Sequence, residues 1–435
     1  MNTLISEIKF IKRFFLLFII LYFFCNINPA EAQSFHTSIY SEDTTYSVSR
    51  TKELRINLQN FNFFRNNEYK GALVKGYTLP GMWLLPTVSY QPISSIKIEL
   101  GAYMLKYWGQ ANYPSIHYGS LSTHNGENEQ RGLHTLPFFR IRYVPVDGVS
   151  LILGNIYGQS NHGLIEPLYN KEMIMTSDPE AGVQLLWTNK AFDLDMWINW
   201  ESFIFRGDNR QEEFTFGLST RFKANTPLSP TYASSNKAHV YFPLQLLFKH
   251  QGGEINTTAT SREVKTWLNA AAGIGLDIKI PYRYFNRLNF EADATYYGQQ
   301  KGSVYPFDKG YGFLGKMVAD FKDIRLNAGY WQCHNFVTLL GDPLFGAVSV
   351  SEEGLTYNNP KMAYMSLEYS HKISKGFALG VHADVYNTFS ADITRKISNG
   401  EGSLSVATER MSNSISFLAG IYLRTDFSFL VKKFR

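Results

Sequence analysis

Two histidines, His162 and His382, and the adjacent Cys333-His334 are where catalysis or metal binding would have to begin. His382 and Asp384 stand two residues apart, which on an extended chain puts both on one face, and Asn161-His162 opens a polar segment. Cleaving a lipid ester demands more, namely a nucleophile and its base within hydrogen-bond reach and close to the lipid boundary. Neither histidine comes with a recognisable nucleophile motif, so both read as solvated residues and no enzymatic activity is expected. Cys333-His334 invites a metal, but two adjacent residues cannot complete a tetrahedral site. Gly273-Ile274-Gly275 lacks the strand-turn-helix context of a phosphate loop. No cofactor is expected.

A larger set of ionisable residues shares one parity along the chain. Arg140, Arg142, Arg221, Lys279 and Arg325 face the same side as Asp277, Glu291, Asp293, Glu368, His382 and Asp384. If their segments are strands of a wide barrel, these side chains are candidates for lining a water-filled pore. Two readings stay open. Both signs occur in similar number, which fits a transverse field that selects hydrophilic solutes and equally fits plain solvation.

That parity comes from period-two alternation repeated down the chain. In 268–280, Leu268, Ala270, Ala272, Ile274, Leu276, Ile278 and Ile280 alternate with Asn269, Ala271, Gly273, Gly275, Asp277 and Lys279. A helix would scatter these apolar residues, whereas a strand collects them on one face. The same pattern recurs at 193–201, 288–296, 377–385 and 414–424. Strands are expected near 53–64, 82–90, 96–108, 134–144, 149–158, 180–188, 193–205 and 212–223. The second half adds 238–249, 264–280, 288–298, 310–320, 324–334, 360–372, 377–389 and 411–425. The count is sixteen, within a range of fourteen to eighteen.

Connections alternate in length. Short turns fall at 145–148, 189–192, 321–323 and 373–376, and long polar stretches at 109–133, 159–179, 335–359 and 390–410. Short periplasmic turns and long extracellular loops are the asymmetry of an outer-membrane barrel. Several strands exceed ten residues, too long for an ordinary sandwich or propeller and suited to a tilted crossing. Aromatics collect at both ends of the inferred lipid face: Trp108, Tyr296, Tyr311 and Tyr330 outside, Tyr143, Trp187, Phe222 and Tyr369 inside. Strict parity, however, turns Trp267 and Trp331 into the lumen.

The N-terminus reads as an address. Lys9, Lys12 and Arg13 precede the apolar run Phe14–Phe24, and Ala30-Glu31-Ala32 offers a cleavage site between Ala32 and Gln33. Bulky Phe23 and Phe24 before Cys25 argue against a lipoprotein. Residues 1–32 are thus expected as signal peptide, 33–52 as a flexible N-terminal segment and 53–435 as the barrel. Cleavage leaves 39 basic against 35 acidic residues, a balance that excludes a nucleic-acid partner. It also leaves Cys333 alone, so no internal disulfide is expected. No later stretch approaches 18 apolar residues, and aromatics at 15% with a mean hydropathy of −0.20 fit a barrel wall whose two faces cancel.

Over 53–425 the chain resembles porin-like outer-membrane barrels of Gram-negative bacteria. The resemblance is architectural and rests on alternation and loop asymmetry. The segments Gly158-Gln159-Ser160-Asn161-His162-Gly163 and Gly207-Asp208-Asn209-Arg210-Gln211-Glu212-Glu213 look like loop signatures of such a barrel family. It implies an outer-membrane location and a channel for passive diffusion of small hydrophilic solutes. Outer-membrane lipid, the barrel-assembly machinery and a possible homo-oligomer are the implied partners. A closed barrel acting as a partner-binding or assembly component is the alternative, and a lipid hydrolase the third reading. Only 33–52 precede the first strand, too few for a plug domain, so Glu42-Asp43-Thr44-Thr45-Tyr46 reads as a loose or lumen-tucked terminus.

Overall fold

A computed structural model describes residues 40–108, 133–203, 207, 211–224, 238–253, 263–280, 282, 284–398 and 404–435. The expected cleavage site at Ala32-Gln33 lies outside the described residues. The first half of the barrel runs β1 (Glu53–Glu68), β2 (Tyr77–Ile93), β3 (Ile96–Tyr107), β4 (His134–Tyr143), β5 (Val149–Asn155), β6 (Ala181–Thr188), β7 (Phe192–Ser202) and β8 (Glu213–Lys223). It continues through β9 (Ala238–Gln251), β10 (Lys265–Lys279), β11 (Phe285–Lys301), β12 (Lys309–Phe321) and β13 (Ile324–His334). A short β14 (Leu355–Asn358) intervenes before β15 (Lys361–Ser374) and β16 (Phe377–Thr388). After β17 (Ala391–Ser398) and β18 (Leu404–Met411), β19 (Ser414–Lys433) completes the chain.

Sixteen of these strands close one barrel, each hydrogen-bonded to its neighbour, and β19 returns to pair with β1 from Glu53↔Lys433 to Glu68↔Phe417. The strand count expected from alternation is the observed one. The remaining three, β14, β17 and β18, form a small sheet within 335–359 and 390–411, where the sequence pattern reads as polar loop. Its apolar residues Leu355, Tyr357, Ala391 and Ile393 bury against Ala72 and Leu73 of the β1–β2 connection.

The outer wall is apolar where lipid must touch it: Leu100, Leu153, Val183, Ile274, Met365 and Ile421 are exposed. Trp108, Tyr296, Tyr311 and Tyr330 are exposed at the end with long loops, and Tyr143, Trp187 and Phe222 at the other. Two aromatic girdles at headgroup depth, with no edge strand between them, define an outer-membrane barrel.

The interior is the surprise. Trp267 and Trp331 do face inward, but they meet protein, not water. Trp331 packs edge-on against Phe336 and Phe345, at 5.4 and 5.6 Å between ring centroids. The loops between β5 and β6 and between β13 and β15 fold into the lumen, and their Ile165, Leu168, Val337, Leu339 and Leu344 share one buried cluster with both tryptophans.

Register is testable on β10. Ala272 is exposed to the lipid side, so Ala272→Arg is expected to cost about 2–4 kcal/mol in a bilayer. Lys279→Gln, exposed on the opposite face, is expected to stay within about 0.5 kcal/mol. Urea midpoints in lipid vesicles compare the two, and equal losses would place Ala272 off the lipid face. Gly273 cannot serve as the lumen control. A Cβ there would come within 2.3 Å of both Ala292 O and Asp293 Oδ1.

Candidate functional site

Residues 40–46 form a strap inside the barrel. Tyr40 is 1% exposed, its ring against Tyr422 and Phe61 and its hydroxyl 3.0 Å from His382 Nδ1. Arg140 grips Glu42 with both terminal nitrogens, at 2.6 and 2.9 Å. The same guanidinium donates to Asn155 O and Ile156 O and lies 3.9 Å over the Tyr157 ring. A planar fork matched to a carboxylate and stacked on an aromatic face is arrangement that only arginine makes. Arg142 donates to Thr44 O at 2.6 Å, Arg424 donates to Ser41 O, and Asn161 exchanges two 2.9 Å bonds with the Glu42 backbone. The strap leaves by the short-turn end, where Tyr46 donates to Ser94 O. Of the two options for this terminus, the structure shows the tucked one.

Wall carboxamides dock the inward loops by reading their backbones. Asn269 donates to Val337 O and accepts from Leu339 N, both at 2.9 Å. Gln245 accepts from Ile165 N at 3.0 Å. Glu172 from the first loop is fully buried and meets Arg65 Nε and Asn67 Nδ2, each at 3.1 Å, and the Tyr77 hydroxyl. Strap, loops and wall thus form an internal core held by these polar contacts, although Asp293 Oδ2, Tyr297 OH and Trp331 Nε1 within it are buried without a hydrogen-bond partner among the described residues.

Neither histidine of the sequence reading is a free base. His162, on the first inward loop, is clamped between Asp195 (2.7 Å) and Glu180 (2.9 Å) and stacks on Trp197 at 3.4 Å. Burial alone would lower its pKa, but the two carboxylates outweigh it and raise the imidazole to about 9. It is a structural cation at neutral pH. His382 has Asp384 Oδ1 2.7 Å and Ser366 Oγ 3.1 Å from the same nitrogen, Nε2. A carboxylate so close requires the proton on Nε2, which leaves no lone pair there to take the serine's proton. All three residues are also buried.

The other pore-lining candidates share the lumen face but are mostly covered. Arg140, Arg142, Arg325, Glu291, Asp293, Glu368, His382 and Asp384 are each less than a tenth exposed. Glu291 pairs with Lys316 at 2.7 Å and Arg325 with Asp320 at 2.5 Å, while Asp277 holds Arg287 at 2.8 Å. Arg221 and Lys279 remain exposed, Arg221 lying 4.2 Å over the Tyr241 ring. Cys333 is buried in the lumen core whereas His334 is half-exposed on the other face of β13, so the two cannot share a ligand. Sequence reasoning missed the strap's grip on this wall. Its signal was Arg140 and Arg142 side by side in the lumen, which left a guanidinium in want of an acid from elsewhere.

Fold and interior together define a porin-like, internally packed outer-membrane β-barrel. The family model described as Lipid A 3'-O-deacylase-type matches residues 44–434, and the chain belongs to that family. This overturns the expectation of no enzymatic activity, because the family is one of enzymes. The absence of a contiguous nucleophile motif does not exclude catalysis in a barrel, because strand pairing brings residues distant in sequence side by side. Among solved structures, OccAB2 of Acinetobacter baumannii is similar at 12% identity and TM-score 0.44, covering 88% of this chain and 99% of its own. OpdK of Pseudomonas aeruginosa, solved with vanillate, gives 9% identity and TM-score 0.45, covering 87% and 100%. OmpT of Vibrio cholerae gives 9% identity and TM-score 0.44, covering 86% and 99%. A search of curated proteins returns no match.

Proposed function

We propose that this chain hydrolyses an acyl ester of an outer-leaflet lipid of the lipid A class, working from the outside of a barrel whose interior is packed. Family membership supports the reaction class, and the packed clusters inside the described part of the barrel are the observation that favours chemistry on the outer wall. A lipid anchored in the leaflet presents its esters at headgroup depth, which the outer aromatic girdle marks. Mass spectrometry of lipid A from cells with and without the chain is the test. The expected result is loss of one acyl chain when the folded barrel is present, and identical profiles would overturn the reading.

A passive channel for small hydrophilic solutes is the second reading, favoured by Arg221 and Lys279, which stay exposed on the lumen face. It requires the strap or the inward loops to leave. Stepwise conductance of the full chain in a planar bilayer would support it.

A further inference from the structure

We infer that His250 and Thr266 are the base and nucleophile of a lipid-ester hydrolysis on the outer wall, an inference that rests on the proposed reaction. His250 lies next to the loop end of β9, and the register sets it opposite Thr266 on one side and Phe214 on the other. Even positions of β9 face lipid, as exposed Phe242 and Leu244 show, and His250 shares their parity. Trp200, Phe214 and His250 form a row across three strands, with ring centroids 5.4 and 5.0 Å apart. The imidazole is therefore part of the outer aromatic girdle.

Its tautomer follows from its contacts. Nε2 lies 3.0 Å from Gly252 O, and a carbonyl only accepts, so Nε2 carries the proton. Nδ1 is then the lone-pair nitrogen, 3.1 Å from Thr266 Oγ, which donates to it. A base oriented by a second acceptor and facing a hydroxyl is the arrangement that activates a nucleophile. Gly252 is suited to the turn that brings its carbonyl back: its φ is +96°, and a Cβ would come 2.7 Å from Gln211 Nε2. His162 and His382 fail this criterion for the reasons given above. A second observation points to a ligand in the same row. The Trp200 indole N–H is buried and finds no acceptor among the described residues, leaving a donor for a lipid oxygen. Thr266 is 5% exposed, so the ester must displace what covers it.

In the first step Thr266 Oγ attacks the ester carbonyl carbon while His250 Nδ1 takes its proton. The sugar–oxygen bond to the acyl carbon then breaks, and the sugar oxygen receives that proton. Water next attacks the acyl-threonine carbonyl, giving one proton to Nδ1. The acyl carbon–Oγ bond breaks, Oγ recovers the proton, and a fatty acid leaves.

The test pairs two readouts on the full chain. Lipid A deacylation is followed for wild type, His250→Ala, Thr266→Val and Thr266→Ser, each normalised to folded barrel. Detergent-solubilised protein is also treated with p-nitrophenyl laurate and mapped for an acyl adduct at residue 266. His250→Ala and Thr266→Val are expected to lose at least about 100-fold in rate, with Thr266→Ser retaining activity. An adduct at Thr266 without any lipid A change would sink the lipid A reading and leave the pair standing. Deacylation at wild-type rate by Thr266→Val would overturn the pair and leave that reading. Absence of both adduct and deacylation in wild type would overturn both.

Discussion

Arg140→Ala is expected to release residues 40–46 from the lumen and to cost about 3 kcal/mol of stability. Arg140 is 2% exposed and serves four acceptors, the two Glu42 oxygens and the carbonyls of Asn155 and Ile156. Removing one partner of a buried pair leaves the other charge uncompensated, which is where losses of about 3–5 kcal/mol arise. The lower end applies because Glu42 retains some contact with water. Hydrogen exchange at 40–46, with a urea midpoint for the whole barrel, checks it. Arg140→Lys is expected to restore little, since an ammonium cannot make the forked contact or stack on Tyr157. Unchanged protection of the strap in Arg140→Ala would show that other contacts hold it.

Trp331→Ala is expected to cost about 3–5 kcal/mol, the loss typical of a large aromatic removed from a core. In a water-filled pore the same change would be nearly neutral. Trp331 is 1% exposed and touches Phe336 and Phe345 from the inward loop. A thermal or urea midpoint in micelles separates the two cases, and a loss below about 1 kcal/mol would argue for a wet lumen. A loss in the core range together with freed exchange in 336–347 would confirm that the loop hangs on this ring.

Both experiments probe what alternation cannot reveal. Period two tells which residues share a face, so the β10 pattern around Ala272 was enough to orient that strand. It does not tell what lies against the face. Trp267 and Trp331 broke the expected lipid-out pattern, and that break was the visible trace of a second apolar environment inside the ring. Leu355, Tyr357 and Ile393 lay in segments polar enough to read as loop, because β14, β17 and β18 bury only one side of a small sheet. His250 and Thr266 are 16 positions apart, and only the β9–β10 register makes them neighbours. Chemistry assembled across strands leaves no contiguous motif.

The strap's placement has a consequence for competition. Glu42 lies 11 residues before Glu53, so the segment is tethered beside its own binding groove. A tether this short holds its ligand at an effective concentration on the order of millimolar. A free peptide of the same sequence would have to exceed that level before it displaced the resident copy, however well it fitted the arginines. Chain connectivity thus adds to the contacts in keeping the groove occupied, and lengthening 47–52 would weaken the strap's hold by lowering that effective concentration.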